Sequence, residues 1–248
     1  MLVGVLCALL LALPVATQEE DGNIAMVIFF KAKPGMGKQM EEGTKRHLDW
    51  HRQQNDPWTW QVFQVVSGDD TGMYVGVTFG HRWQDFDTAP VPREADEADA
   101  EINIEPYVGW SVVRYYAALP NVSLPPQAEG PLPLSTVVIF RVRPGKDAKF
   151  NYLIGKFHKA IEKTNWPVHY IWYALVNGGE GGTYAVVLPS ENWAGFAPQE
   201  KSFVQMLEEA YGRQEAESLL HSWGKILKGS ASHINRYRAD LSYVPTSP

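Results

Sequence analysis

Two histidines one helical turn apart are the residues of this chain whose type and spacing best suit catalysis or ligand binding. His47 and His51 lie in the segment Pro34–Arg52, which follows an apolar run and is predicted to be helical. An i, i+4 spacing puts both imidazoles on one helix face, where they can point at one ion or one substrate atom. Since the ordinary pKa of histidine suits neutral pH, either ring could act as a general base. We therefore predict His47 and His51 as catalytic residues.

No metal site is assigned to this pair from the sequence. A His-x-x-x-His pair needs a third ligand, and no glutamate follows the first histidine as it does in zinc peptidases. The nearby carboxylates Asp49, Asp85 and Asp87 are not placed by the sequence. The cofactor is therefore unknown at this stage. The alternative that both rings are hydrogen-bonded packing residues stays open.

The segment that carries the histidines belongs to a unit that occurs twice, and repeats of this kind usually define the architecture. The alignment runs without a gap over most of each copy, and the second copy then gains residues between Ala197 and Ser230. The aligned pairs include Pro34 with Pro144, Asn55 with Asn165, Gly72 with Gly182, Tyr74 with Tyr184, and Trp83 with Trp193.

Hydrophobic patterning predicts the order strand–helix–strand–strand–helix–strand in each copy. The first copy, residues 24–118, is predicted as Ile24–Lys33, Met36–Gln53, Trp58–Val66, Met73–Gly80, Arg82–Asp87 and Tyr107–Ala118. The second copy, residues 135–244, is predicted as Thr136–Arg143, Asp147–Thr164, Val168–Asn177, Thr183–Leu188, Glu200–Lys228 and Ser232–Val244. A proline-rich linker, residues 119–134, joins them. The acidic connection Val91–Glu105 is interpreted as a solvated loop or helix face.

The exit of the first strand carries a motif that suggests a superfamily. Lys31–Gly35 (KAKPG) is matched in the second copy by Arg141–Gly145 (RVRPG). This motif, with the order of elements, resembles the dimeric α/β-barrel superfamily. The resemblance implies an α+β fold of two ferredoxin-like βαββαβ repeats that form the barrel within one chain, as in chlorite dismutase-like proteins. The superfamily includes cofactor-free monooxygenases, isomerases and haem-binding proteins, so the fold alone does not choose an activity.

Comparison of the two first helices predicts where a ligand would bind. The stripe Phe150, Leu153, Ile154, Phe157 and Ile161 of the second copy is an ordinary core face. Its counterparts in the first copy are smaller or polar: Met40, Gly43, Thr44, His47 and His51. The first copy should therefore contain a cavity lined by polar groups that need partners. The predicted ligand-binding residues are Thr44, Trp50, Trp60, Arg114 and Tyr115.

Haem binding is an alternative that the resemblance raises. In chlorite dismutase-like proteins the axial histidine lies on a helix of the C-terminal unit. The counterpart here is His158, but the flanking motifs of those proteins are not matched around it.

The N-terminus and the composition restrict the compartment and the partners. Residues 1–17 form an apolar run that is typical of a signal peptide, although it lacks a basic start. We expect cleavage and a secreted or periplasmic protein that is not held in a membrane; the alternative is that the segment stays uncleaved as a membrane anchor. Cys7 is the only cysteine and lies in that segment, so the mature chain would have no disulfide. A net charge of −6 without a basic run makes nucleic acid an unsuitable partner.

The sequence therefore predicts an exported protein that binds a small apolar or aromatic ligand. If it is an enzyme, a cofactor-independent monooxygenase or isomerase with a histidine-lined pocket in the first repeat fits the superfamily. The alternatives are a non-catalytic ligand-binding or structural protein, and a haem-binding protein. Further assembly into a homo-oligomer stays open.

Overall fold

The computed structural model describes residues 22–128 and 130–245. The predicted signal peptide, residues 1–17, and Cys7 lie outside the described residues. In the described ranges, no helix has the length and apolar character needed to cross a membrane.

The first repeat is an antiparallel sheet with α-helices on one side. Its strands follow the order β4–β1–β3–β2, which is the arrangement of a ferredoxin-like unit. In chain order its elements are β1 (Ile24–Ala32), α1 (Gly37–Gln53), β2 (Gln61–Val65), β3 (Tyr74–His81), α2 (Arg93–Asn103) and β4 (Val108–Ala118).

The second repeat has the same strand order, β8–β5–β7–β6, with one further helix. Its elements are β5 (Leu134–Val142), α3 (Asp147–Thr164), β6 (Ile171–Asn177), β7 (Thr183–Ser190), α4 (Phe203–Tyr211), α5 (Arg213–Ile226) and β8 (Leu227–Tyr237).

The two sheets join edge to edge and close one barrel. Strand β2 pairs with β8, and β4 pairs with β6, both antiparallel. Because every edge strand finds a partner in the other repeat, the barrel has no free sheet edge. The α+β fold of two ferredoxin-like repeats forming an intramolecular barrel, predicted from the sequence, is confirmed.

The turns that begin and end the first helix of each repeat explain why the same residues recur. Gly35 and Gly145 follow the first strand with φ of 77° and 72°, a region that glycine adopts without the steric penalty of a side chain. Asn55 and Asn165 follow the helices with φ of 54° and 47°. Asparagine is one of the few other residues that tolerate this conformation.

Several predicted boundaries differ from the structure. The helical region predicted over Glu200–Lys228 is divided into α4 and α5 at Gly212, where φ is 80°. The last strand, predicted over Ser232–Val244, instead begins at Leu227 and ends at Tyr237. The acidic connection Val91–Glu105 contains the regular helix α2. The pattern of glycines and charges in such a segment does not show which of its residues will pair or pack with a neighbouring element.

Side chains alternate between the two faces of the barrel wall, as strand geometry requires. One face points inward, and the other carries the helices. In the second repeat the space between helices and sheet is filled by aromatic packing of Phe150, Trp172, Tyr184 and Trp223. In the first repeat the corresponding core is smaller, and a cavity lies beside it.

Candidate functional site

A cavity of about 580 Å³ lies between the sheet of the first repeat and helices α1 and α2. Apolar side chains of the sheet, among them Met26, Ile28 and Val62, form its floor. The ring of Phe86 contributes to the wall. Thr44, His47 and His51 of α1 face the same space, where the comparison of the two helices predicts a cavity.

Helix α2 approaches α1 unusually closely at Gly43. A Cβ atom at this position would lie 1.8 Å from the backbone oxygen of Asn103. The bulk missing at Gly43 is therefore occupied by the backbone of α2 and does not enlarge the cavity. This contact brings the acidic face of α2 to the two histidines.

Three potential ligand atoms converge at this helix pair. Nε2 of His47 lies 3.2 Å from Nε2 of His51. Oδ1 of Asp96 on α2 lies 3.4 Å from each of these nitrogens. This oxygen is buried and has no hydrogen-bond partner among the described residues. A buried carboxylate oxygen normally has one, so this position suits a cation, or a hydrogen-bond donor other than the described residues.

The opposite nitrogen of His47 is held by a chain of polar side chains. Oδ1 of Asp99 lies 2.9 Å from its Nδ1. Asn103 donates to the same oxygen at 3.1 Å, and Arg46 donates to Asn103 at 2.7 Å. An imidazole whose Nδ1–H faces a carboxylate presents a lone pair at Nε2.

His51 is oriented by a carboxylate of its own. Its Nδ1 lies 2.8 Å from Oδ2 of Asp56, a close electrostatic contact rather than a well-aligned hydrogen bond. Asp56 is only 1% exposed. It accepts from the backbone N–H of Trp58 at 2.8 Å and from the indole of Trp60 at 3.2 Å. Tyr243, near the C-terminus, donates to the Asp56 carbonyl at 2.7 Å.

The electrostatics of the site favour the neutral form of His47 and the ionised form of Asp56. Burial lowers the pKa of His47 below its ordinary value, and the neighbouring His51 adds to this, although Asp99 and Asp96 oppose it. Burial would raise the pKa of Asp56, but His51, the Trp58 N–H and the Trp60 indole together bring it below its ordinary value. A neutral imidazole is the form that ligates metals and accepts protons.

His47, His51 and Asp96 are the described residues with suitable donor atoms for a metal ion, since one atom from each lies within 4.8 Å of the others. Two imidazoles and one carboxylate form the donor set of non-haem iron(II) sites, and zinc also accepts it. Asp99 and Asp56 occupy the positions of the second-sphere carboxylates that fix ligating histidines. The donor set and its supports therefore fit a divalent transition metal.

Most of the predicted ligand-binding residues lie at this site. Thr44 and Trp60 line the cavity, and so does Tyr115, whose ring packs 5.3 Å from that of Phe86. The ring of Trp50 is parallel to that of His47 at 6.0 Å and supports it from behind.

Arg114 is the exception among the predicted ligand-binding residues. Neighbouring residues of a strand point to opposite faces, so Arg114 does not share the cavity with Tyr115. Its guanidinium lies 5.1 Å from the ring centre of Phe29, which faces the inside of the barrel. Arg114 therefore lies on the opposite side of the sheet from this cavity.

The acidic residues of the site are those that sequence reasoning missed. Asp49 and Asp85 instead pair with the arginines Arg52 and Arg82 at the surface. Asp96 and Asp99 lie in a helix that is mostly solvent-exposed, so composition alone indicated a solvated face. Their i, i+3 spacing was the available signal, because it puts both carboxylates on one side of a helix.

The haem alternative does not fit His158. Its Nδ1 lies 2.8 Å from the hydroxyl of Tyr170, and its Nε2 lies 3.5 Å from Glu162. The space between α3 and its sheet is occupied by packed side chains, with Phe150 and Leu153 fully buried. A haem could enter there only by displacing this core.

Comparisons with known proteins identify the fold. No protein-family model and no curated protein sequence matches the chain. An anthrone oxidase-like protein of known structure superposes with a TM-score of 0.58 and 13% identity, covering 92% of this chain and 96% of the other. A candidate monooxygenase from Lactobacillus acidophilus superposes with a TM-score of 0.56 and 6% identity, covering 90% and 97%.

A mutant chlorite dismutase from Candidatus Nitrospira defluvii, solved in complex with cyanide, is similar in the same way. Its TM-score is 0.55 at 7% identity, and the alignment covers 89% of this chain and 92% of the other. At these identities the likeness concerns the fold. The chain therefore has the dimeric α/β-barrel fold, complete within one polypeptide.

Proposed function

We propose that the first repeat is a small-molecule oxygenase whose site is completed by a divalent metal, iron(II) before zinc or manganese. The observation that carries this proposal is the convergence of His47 Nε2, His51 Nε2 and Asp96 Oδ1, with Asp96 Oδ1 left without a partner among the described residues. Two histidines and one carboxylate leave other coordination positions open, as oxygen chemistry requires.

The chain's own residues would hold the metal and orient the substrate. Asp99 and Asp56 fix the two imidazoles, so the lone pairs face one point before a metal arrives. Met26, Ile28 and Val62 supply an apolar floor for the substrate. Trp60 and Tyr115 add aromatic walls, which suit a planar aromatic compound. Bound there, a metal would supply a coordination position for dioxygen.

Anthrone is a reasonable first substrate to test. It is planar and aromatic, and an anthrone oxidase-like protein has the same fold. In the expected reaction anthrone and dioxygen give anthraquinone and water, so the ring carbon loses two hydrogens and gains one oxygen.

Cofactor-free general-base catalysis is the second candidate, because His47 forms a dyad with Asp99 at 2.9 Å and is kept neutral by burial. Nε2 of His47 would remove a proton from an acidic C–H of the substrate, and dioxygen would react with the carbanion. This is the mechanism that the histidine pair alone predicted. Export, which residues 1–17 predict, also stays a prediction.

Metal binding is tested first, without a substrate. The chelator-treated chain is titrated with iron(II), cobalt(II) and zinc(II), and affinity is measured by competition with a chromophoric chelator. We expect one metal per chain in the wild type and loss of at least 100-fold in affinity in the double variant His47→Gln/His51→Gln. Asp49→Asn, on the exposed face of the same helix, is the matched control. Equal affinity in the wild type and the double variant would exclude the metal site.

Turnover then separates the two candidates. Oxygen consumption and anthraquinone absorbance are measured with anthrone for the chelated and the iron-loaded chain. Activity only in the loaded chain supports the metal-dependent oxygenase. Full activity in the chelated chain, lost in His47→Gln, supports the general-base candidate. Activity that survives in the double variant contradicts both.

A further inference from the structure

The inside of the barrel contains a second cavity, of about 230 Å³. Strands of both repeats line it, through side chains such as Val27, Phe63, Val137, Tyr173 and Ala185. On β1, Val27 and Phe29 face this lumen, whereas Met26 and Ile28 face the metal site. The sheet of the first repeat therefore separates the two cavities, and a ligand in one does not reach the other.

The lining of the lumen is typical of a ligand-binding cavity rather than of a packed hydrophobic core. Its lining residues include no aspartate, glutamate, lysine or arginine within the described chain, so it does not suit a charged ligand. Its uncharged polar lining residues include Gln61, Ser135, His233 and Asn235. Among these, Asn235 is 7% exposed. Its Oδ1 is buried and finds no hydrogen-bond partner in residues 22–128 and 130–245. An acceptor of this kind is satisfied by a ligand that carries an N–H or O–H.

The linker between the repeats forms part of the wall. Pro126, Pro131 and Leu132 contact the lumen, next to Pro189 of β7. The linker is fixed in place by two backbone hydrogen bonds between Leu124 and Tyr170, each 2.8 Å long. Two prolines of the linker, Pro126 and Pro131, line the lumen, and proline lacks the N–H that would continue strand pairing.

We propose that the lumen is a second binding site, for a compact uncharged aromatic or aliphatic molecule that donates one hydrogen bond to Asn235. An apolar cavity of roughly 150 Å³ holds benzene. The larger lumen therefore suits a molecule of about two fused rings. The proposal is independent of the metal site and of oxygenase activity.

The test uses 1-naphthylamine, which has two rings and an amine donor, and 1-methylnaphthalene, in which a methyl group replaces the amine. Binding of the amine to the full chain is followed by its fluorescence, and binding of the methyl compound by displacement. We expect saturable binding with one molecule per chain. The amine should bind roughly tenfold more tightly, because the methyl compound leaves Asn235 unpaired.

Two matched variants locate the ligand. Ala185→Phe fills the lumen, and Ala100→Phe fills the cavity of the metal site with the same added ring. We expect Ala185→Phe to weaken amine binding at least tenfold and Ala100→Phe to leave it unchanged. Thermal unfolding checks that both variants fold. If only Ala100→Phe weakens binding, the ligand occupies the metal-site cavity and the proposal is wrong.

The third variant tests the hydrogen bond. In Asn235→Leu the preference for the amine over the methyl compound should disappear. The wild-type comparison needs no variant, so it remains decisive if a substitution prevents folding. No saturable binding by the wild type, or equal affinity for the two compounds, would overturn the proposal. The His47→Gln/His51→Gln chain should bind the amine like the wild type, which separates this result from the metal proposal.

Discussion

Nε2 of His47 and Nε2 of His51 face each other at 3.2 Å, and both rings are held from behind by carboxylates. A neutral imidazole that keeps its hydrogen on Nδ1 offers a lone pair at Nε2. Two such lone pairs and the oxygen of Asp96 repel one another unless a positive charge lies between them. The arrangement is therefore suited to a bound cation.

Removing Asp96 should weaken metal binding more than removing its neighbour Asp99. Asp96→Asn deletes a charged ligand and should reduce affinity by at least 100-fold. Asp99→Asn keeps the ligands but loses the carboxylate behind His47, so a loss of about 10- to 100-fold is expected. Affinity is measured by chelator competition, with Asp49→Asn as the control. The reverse order would show that Asp99, and not Asp96, binds the metal.

The metal-free chain should lose stability as the pH falls below neutrality. Burial lowers the pKa of His47, His81 and His233 below the ordinary value of 6.5. Between these lowered values and 6.5 the unfolded chain binds more protons than the folded chain, so the free energy of unfolding decreases as the pH decreases.

Urea unfolding of the chelated chain at pH 7.5, 6.5 and 5.5 measures this effect. His81→Gln should show a weaker pH dependence than the wild type, because one of the three buried rings is gone. A free energy of unfolding that does not change, or that rises, over this range would contradict the predicted neutral state of these histidines.

The fold could be predicted from the sequence because its signals are local and occur twice. Each repeat has a Pro-Gly turn after its first strand and an asparagine after its first helix, and each of these residues favours one backbone conformation. Because the same signals recur in the second copy, they support the elements predicted for the first. The start of β8 at Leu227 was missed because a strand is defined by its partner. Val142 of β5, which pairs with Leu227, is distant in sequence.

Only part of the candidate site could be predicted from the sequence, because its other contacts join elements that are distant in the chain. The histidines and the cavity follow from one helix compared with its own repeat. The carboxylates of α2 join them only because Gly43 lets two helices approach, and nothing at Asp96 itself shows this contact. The direction of Arg114 depends on strand register, and a shift of one residue reverses it.

Gly43→Ala should separate the two helices and disrupt the site. The added methyl group meets the Asn103 carbonyl, which is backbone and cannot rotate away. We expect a loss of about 1–3 kcal/mol in the free energy of unfolding, typical of overpacking. Metal affinity should also fall, because Asp96 and Asp99 move with α2.

Gly155→Ala is the matched control for this change. Gly155 lies within α3, and a Cβ there meets nothing within 4 Å among the described residues. Alanine in place of glycine inside a helix should stabilise the chain by about 0.5–1 kcal/mol and leave metal affinity unchanged. If both variants behaved alike, the close approach of α1 and α2 would not support the site.

Tyr243→Phe should weaken the site from the C-terminal end of the described chain. The substitution removes the hydrogen bond to the carbonyl of Asp56, whose carboxylate lies against His51. A loss of about 1 kcal/mol in stability is expected, with a several-fold loss of metal affinity.

Tyr211→Phe, the matched control, removes a similar 2.8 Å bond to the carbonyl of Lys156 in the second repeat. It should cost similar stability without affecting the metal, and a metal effect in both variants would indicate general destabilisation.

Thr44→Ile should make the first repeat resemble the second, where Ile154 occupies the aligned position in a dry core. Thr44 is 5% exposed and lines the cavity, and its hydroxyl donates to the carbonyl of Met40 at 2.9 Å. The substitution replaces the hydroxyl by a methylene and adds a methyl group, and burying this apolar surface should raise the free energy of unfolding by about 1 kcal/mol. The added methyl group occupies space that the substrate needs, so anthrone turnover should fall at least tenfold while metal affinity stays unchanged. The reverse variant, Ile154→Thr, should destabilise the chain by about 2 kcal/mol and leave turnover intact. Wild-type turnover in Thr44→Ile would mean that the reaction takes place outside this cavity.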